Sequence, residues 1–226
     1  MRNAFNKTTV ILGKKQYHLI TPKLDLSELY VVKLREQNHV IFGNEDCLLN
    51  LAKVFEFSIR NPSYIFYINS KVNKLTEYLS KCWSCDSKSY DLVILQHSIQ
   101  LKIHEWKQIR ELWRKSIKEP ISPILEVDNK ITRNNREYFY SENVDFLDIN
   151  DRFETLFLTG SNRVFKDISK DTLLIHDNGR EQYLRFPGAH DHEHIDYYAR
   201  RQYTQNYKYD GNFLCLDFYD RYLWKR

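Results

Sequence analysis

The sequence predicts an α+β protein, with a β-α-β-α-β-α N-terminal half on a mixed sheet and antiparallel hairpins in the C-terminal half. Three observations carry this. The first 120 residues alternate short apolar runs with amphipathic stretches of helical period. The second half holds two hairpin dipeptides, Asn178-Gly179 and Asp210-Gly211, whose turn positions favour φ > 0. Only six Gly and five Pro occur in 226 residues, and 42% of side chains are apolar, so the chain suits a packed core rather than long linkers.

Thr9 to Ile20 predicts a hairpin, with Gly13 able to supply the positive φ of a tight turn. Leu29 to Leu34 is a further extended run, and His39 to Gly43 another strand. Asn44 then suits an N-cap, with Glu45 and Asp46 where the helix dipole favours acids. Leu48, Leu51, Ala52, Phe55 and Ile59 share one face of that helix, which Asn61-Pro62 ends. Tyr64 to Ile68 is a short strand, and Val72, Leu75 and Leu79 mark a second amphipathic helix. Tyr90 to Leu95 is apolar enough for burial on both faces. A third helix is expected from Ile99 to Lys118, burying Ile103, Trp106, Ile109, Trp113 and Ile117.

In the second half, Thr172 to Ile175 and Arg180 to Phe186 are expected as strands flanking the Asn178-Gly179 turn. Asp210-Gly211 sets another hairpin between Tyr207 and Leu216. No internal repeat sets the architecture at the level of sequence. Pro120, Pro123 and the polar run Asp128 to Arg136 separate an alternating section, residues 1–120, from a hairpin-rich section, residues 137–226, as two units or one continuous domain.

The net charge of +4 does not demand a nucleic-acid partner. Charge is uneven, however: between Glu137 and Glu154, six acids face only Arg152. Such a strip docks a basic partner or folds back on the protein's own basic surface, the commoner outcome. No apolar run approaches membrane-spanning length, and Met1 to Val10 lacks the apolar core of a secretory signal. Four Cys do not suggest a disulfide framework, so a cytoplasmic location is expected. There is no Walker loop, dinucleotide glycine fingerprint, G-x-S-x-G elbow or kinase signature, which argues against a nucleotide-dependent enzyme.

The densest chemistry is Ala189-His-Asp-His-Glu-His-Ile-Asp196, which gathers three of the eight histidines. In an extended segment His190, His192 and His194 share one side, and three imidazoles can hold zinc with a position left open. Glu193 or Asp196 would be the base acting on a bound water. The stretch lies after Pro187-Gly188, which places it in a connection or short helix; the competing reading is a polar loop whose histidines pair with neighbouring acids.

Other motifs are plainer. Cys82-Trp-Ser-Cys85 follows a helix and precedes a strand, the wrong order for a redox site, and reads as thiols at a helix end. Lys107, Arg114 and Lys118 share a helix flank with Glu111, the pattern of a solvated face. Tyr197-Tyr-Ala-Arg-Arg-Gln-Tyr203 is rich in the residues that dominate binding hot spots and stack on bases.

His39-Val-Ile-Phe-Gly-Asn-Glu-Asp-Cys-Leu-Leu-Asn-Leu-Ala52, with the strand Tyr64 to Ile68 and Tyr90-Asp-Leu-Val-Ile-Leu95, resembles small bacterial immunity proteins of polymorphic toxin systems. Their pattern is a strand ending in Gly-x-x-x-x-Leu, a helix with Leu-Ala, then further strands. The resemblance covers residues 39–95, under a third of the chain, and implies a binding protein without catalysis.

The expectation is a cytosolic protein-binding factor that occludes a cognate toxin and needs no cofactor. Asp145, Asp148 and Asp151 would steer a basic toxin, and Tyr197, Tyr198, Arg200 and Arg201 would anchor it. The alternative is a hydrolase or nuclease that holds zinc or another divalent transition metal on His190, His192 and His194. A third reading, nucleic-acid binding through the Tyr/Arg stretch, is less favoured.

Overall fold

The computed structural model describes residues 4–34, 38–82, 88–123, 147–186, 191–195 and 214–224. The first hairpin pairs β1 (Phe5–Leu12) with β2 (Lys15–Pro22), and Gly13 takes φ 60° at its turn. Next come β3 (Tyr30–Lys33), β4 (His39–Gly43), α1 (Glu45–Arg60) and β5 (Ile65–Ile68). The Asn44 side chain caps α1 by accepting from the Cys47 N–H at 2.9 Å. A short helix, α2 (Glu77–Cys82), precedes β6 (Asp91–Gln96), which is buried along its whole length. α3 (Trp106–Lys115) and β7 (Glu119–Ile121) follow. After residues 124–146, which lie outside the described set, come β8 (Asp148–Arg152), β9 (Thr155–Gly160), α4 (Asn162–Arg185), β10 (His192–Ile195) and β11 (Leu214–Phe218). The architecture is α+β. Among the described residues no helix is long and apolar enough to cross a membrane.

Two sheets flank the α1–α4 pair. One has the order β7-β1-β2-β5-β6-β9-β8, the other β10-β11-β4-β3, so both draw strands from each half of the chain. Here a repeat emerges that the sequence did not reveal. The β3–β4 hairpin, Gly43, the cap Asn44 and α1 are matched by the β8–β9 hairpin, Gly160, the cap Ser161 and α4. Aligning Gly43 with Gly160 brings the registers into correspondence: Tyr30 opposite Phe42 becomes Asp148 opposite Thr159. Each helix is followed by an antiparallel pair, β5–β6 or β10–β11, that crosses into the other unit's sheet. β6 runs parallel to β9 with Gln96 opposite Gly160, and β11 runs parallel to β4 with Phe218 opposite Gly43.

The described elements therefore contain two topologically matching units whose second strand pairs are exchanged between the sheets. Matching positions of the two units touch each other. Ala52 and Ser169 each lie nine residues after their glycine, and the Ser169 hydroxyl donates to the Ala52 carbonyl at 3.3 Å. These small side chains let α1 and α4 approach closely, while Phe55 and Phe165 pack beside them at 5.8 Å. Lys33 and Asp151 are likewise equivalent, and they form an ion pair at 2.7 Å. The β1–β2 hairpin and β7 extend one sheet only, with β2 parallel to β5.

Four local expectations are corrected. Thr172 to Phe186 is not a hairpin: α4 runs through Asn178-Gly179 to Arg185. Val164, Phe165, Ile168, Ser169, Thr172, Leu173, Ile175 and Gly179 form its buried stripe, and this helical period outweighs the turn dipeptide. The third helix is shorter than expected, because two 3-10 turns and Gln100 at φ 49° precede Trp106. Ile117 falls beyond its end and is 86% exposed. The second helix begins only at Glu77, with Val72 in a separate 3-10 turn, exposed. Within the histidine stretch, His192 to Ile195 form strand β10, not a connection or short helix, because they hydrogen-bond to β11. The Asp210-Gly211 turn lies outside the described residues, although β11 beyond it is formed.

Candidate functional site

β10 and β11 pair antiparallel, with His192 opposite Asp217 and His194 opposite Cys215. Opposed residues share a face, and alternation puts His192 and His194 on the same one. Their rings meet edge to face, with centroids 4.9 Å apart. Two imidazoles, a thiol and a carboxylate thus form a two-by-two block. Asp217 and Cys215 are buried, His192 is half-buried and His194 is exposed. Glu193 points to the opposite side of β10, away from the two rings, which bears on its expected role as a base. His190 and Asp196 lie outside the described residues.

Burial pushes the Cys215 thiol up, and the negative charges of Asp217 and Glu193 push it further. Such a thiol is inert as a nucleophile at neutral pH. A divalent cation would reverse that balance, because it meets the carboxylates favourably and deprotonates a coordinated thiol. Among the described residues no three His, Cys, Asp or Glu side chains already converge as a metal-holding group.

The expected partner-binding acids divide. Asp145 lies outside the described residues. Asp148 begins β8, the edge strand of its sheet, and is half-buried. Asp151 is spent internally: Lys33 Nζ lies 2.7 Å from its carboxylate and His39 Nε2 lies 3.7 Å away. His39 and Lys33 hold its carboxyl well below the usual carboxylate range. Glu154 is paired with both Lys71 and Lys88, which bring it down to about 2. In these two acids the strip folds back on the protein's own cations. Tyr197, Tyr198, Arg200 and Arg201 lie outside the described residues, as do the side chains of Cys82 and Cys85.

Two arrangements had no signal in the sequence reading. The first is a buried ion pair beneath a strained turn. Asp91, 1% exposed, accepts from the Tyr67 hydroxyl at 2.9 Å, the Lys71 N–H at 3.2 Å and the Arg110 guanidinium at 3.1 Å. Burial raises its pKa, against the opposing pull of those partners. Arg110 also donates to the Phe153 carbonyl at 3.4 Å. Phe153 and Glu154 take φ 56° and 58° at the β8–β9 turn, where glycine or asparagine is usual. Lys107, 4.6 Å from the Phe153 ring centre, and the Glu154 ion pairs help hold this conformation.

The second is a surface anchor near the C-terminal end. The Arg221 guanidinium lies 4.9 Å from the centre of the Tyr222 ring and donates to its hydroxyl at 2.9 Å. Glu28 grips the other side of Arg221 at 2.9 Å, and Asp220 fixes the turn by accepting from the Tyr222 N–H at 2.8 Å. Tyr222 is nonetheless 60% exposed. Only the residue types Tyr and Arg, the same that drew attention to residues 197–203, could have flagged it.

Comparison with protein-family models, with curated proteins and with solved structures returns no match to this chain.

Proposed function

We propose that this protein acts by binding another protein, and that it serves as an immunity factor occluding a toxin's active surface. The observation that carries this reading is the Arg221–Tyr222 pair. It is exposed yet held by Glu28 and Asp220, so little side-chain freedom is lost when a partner covers it. The resemblance of residues 39–95 to immunity proteins supports the same reading. Steering of a basic partner falls to Asp148 and Asp145 rather than Asp151, whose charge is already used. The test replaces Tyr222 with a photo-crosslinking residue in the native host, identifies the captured protein, and measures its affinity for purified variants. Tyr222→Ala and Arg221→Ala should each weaken the complex by more than about 2 kcal/mol, the hot-spot range. Wild-type affinity in both variants would remove this surface from the interface.

A second reading, a metal-dependent hydrolase or nuclease at His190, His192 and His194, is favoured by one observation. β10 is extended and holds the His192 and His194 rings on a single side, 4.9 Å apart.

A further inference from the structure

The β1–β2 hairpin is covered on one face only. There Val10, Tyr17 and Leu19 pack with Trp106 and Ile109 of α3. On the other face Phe5 and Ile20 join the core, with the Phe5 and Phe57 ring centres 4.8 Å apart. Alternation puts Lys7, Thr9, Ile11, Gln16 and His18 further along this second face, where Tyr64 adjoins His18. Thr9, Ile11 and Gln16 are exposed, while Lys7, His18 and Tyr64 are half-buried. Charge on the hairpin is one-sided. From Met1 to Leu24 the sequence carries Arg2, Lys7, Lys14, Lys15 and Lys23 and no acid. Lys33, Lys71, Lys88 and Arg110 elsewhere each meet a carboxylate. Lys7, Lys14, Lys15 and Lys23 form no ion pair with a described residue. Register sets Lys7 opposite Glu119 of β7, yet its ammonium lies over the Tyr64 ring, 5.3 Å from the centre. The His18 ring meets Tyr64 edge to face at 5.7 Å. The Gln16 amide donates to His18 Nε2 at 3.3 Å, which leaves Nδ1 to donate to the Thr9 hydroxyl at 3.2 Å. That is the bonding of a neutral imidazole, and burial and the Lys7 charge hold His18 below its ordinary value.

We propose that this face binds single-stranded nucleic acid, with bases stacked on Tyr64 and His18 and phosphates held by Lys7, Lys14 and Lys15. A base on Tyr64 takes the place of the Lys7 ammonium, which then turns to the backbone. Stacking needs only the flat face of a base and tolerates any sequence. Phosphates supply the negative charge that the hairpin lacks. β1 has eight residues and spans roughly 27 Å, room for about four nucleotides, the lower end of single-strand sites on sheet platforms. Ile11, 65% exposed, is the one large apolar side chain that this face offers to solvent, too little for a lipid surface. The face is separate from the Arg221–Tyr222 anchor, and its binding does not depend on the protein-binding reading.

The test is fluorescence anisotropy of labelled RNA and DNA single strands of about 20 nucleotides, titrated with the full chain at about 50 and 200 mM salt. Wild type should bind a single strand at least about 10-fold more tightly than a duplex of the same sequence, whose bases already stack on one another. K14Q/K15Q should weaken binding and flatten the log–log salt dependence by about 1.4, two phosphates at about 0.7 each. H18A and Y64L should each lose about 5- to 100-fold in affinity with the salt dependence unchanged. E119Q, which removes the carboxylate opposite Lys7, should tighten binding. If Y64L fails to fold by circular dichroism, H18A decides whether rings take part. Equal affinity for single strand and duplex, unmoved by H18A, would overturn the proposal and leave plain charge attraction. Absence of oligonucleotide binding at the lower salt would overturn it too, and uptake by phosphatidylserine vesicles in that case would assign the hairpin to a membrane surface.

Discussion

At the scale of single residues, the Asp91–Arg110 pair shows how burial sets the stakes of a charge. Asp91 is sealed within β6, and the Arg110 side chain is 14% exposed. Together they neutralise each other, and the Tyr67 hydroxyl and Lys71 N–H donate to two further carboxylate lone pairs. Removing one member leaves an uncompensated charge in low dielectric, which costs about 3–5 kcal/mol, far more than the pair adds when intact. Arg110→Met should therefore lower stability by about that amount in urea unfolding. It should also loosen the Phe153–Glu154 turn, whose carbonyl Arg110 holds. Adding Asp91→Asn to Arg110→Met should recover a large part of the loss. If Arg110→Met costs under about 1 kcal/mol, Asp91 is neutralised by another route.

At the scale of elements, α4 shows why a strong local signal gave way. Asn178-Gly179 marks a hairpin only if the chain needs φ > 0 there. Gly179 instead serves a close approach: a Cβ added to it would lie 2.6 Å from the Phe218 Cβ and 2.5 Å from its Cγ. In an exposed helix Gly→Ala stabilises by about 1 kcal/mol. Here Gly179→Ala should destabilise by about 1–3 kcal/mol through overpacking against β11. Pairing it with Phe218→Leu should return part of the loss. Thermal unfolding of the single variant separates the two accounts, since a raised melting temperature would mean that α4 and β11 do not press together. The elements that were legible were those set by local chemistry: the Gly13 turn, the strand His39 to Gly43 and the Asn44 cap. Those missed depended on distant partners. β10 is a strand because β11 lies beside it, and Phe153 and Glu154 adopt left-handed backbone because Arg110, Lys71 and Lys88 hold them. For the candidate site, the sequence singled out His192 and His194. Cys215 and Asp217 join them only through a strand pairing that no local pattern reveals.

At the scale of the whole molecule, the strand exchange decides how stability is shared. Had each repeat built its own sheet, residues 30–96 and 148–218 could unfold separately. Instead β6 completes the sheet of β8 and β9, and β11 completes that of β3 and β4, while α1 and α4 pack on each other. The main core cluster includes Leu48 of α1, Leu92 of β6, Phe165 of α4 and Leu216 of β11, so neither sheet has a private core on that side. Extracting one pair of exchanged strands therefore strips both helices. Leu216→Ala removes a fully buried side chain and should cost about 2–5 kcal/mol. Because the lost contact belongs to a shared core, the cost should fall on both sheets. Native-state hydrogen exchange should show β6 amides, in the other sheet, losing as much protection as those of β4 beside the substitution. If β4 weakens while β6 keeps wild-type protection, the repeats unfold as independent units. The exchange of strands would then be a matter of topology, without the energetic coupling that the shared core implies.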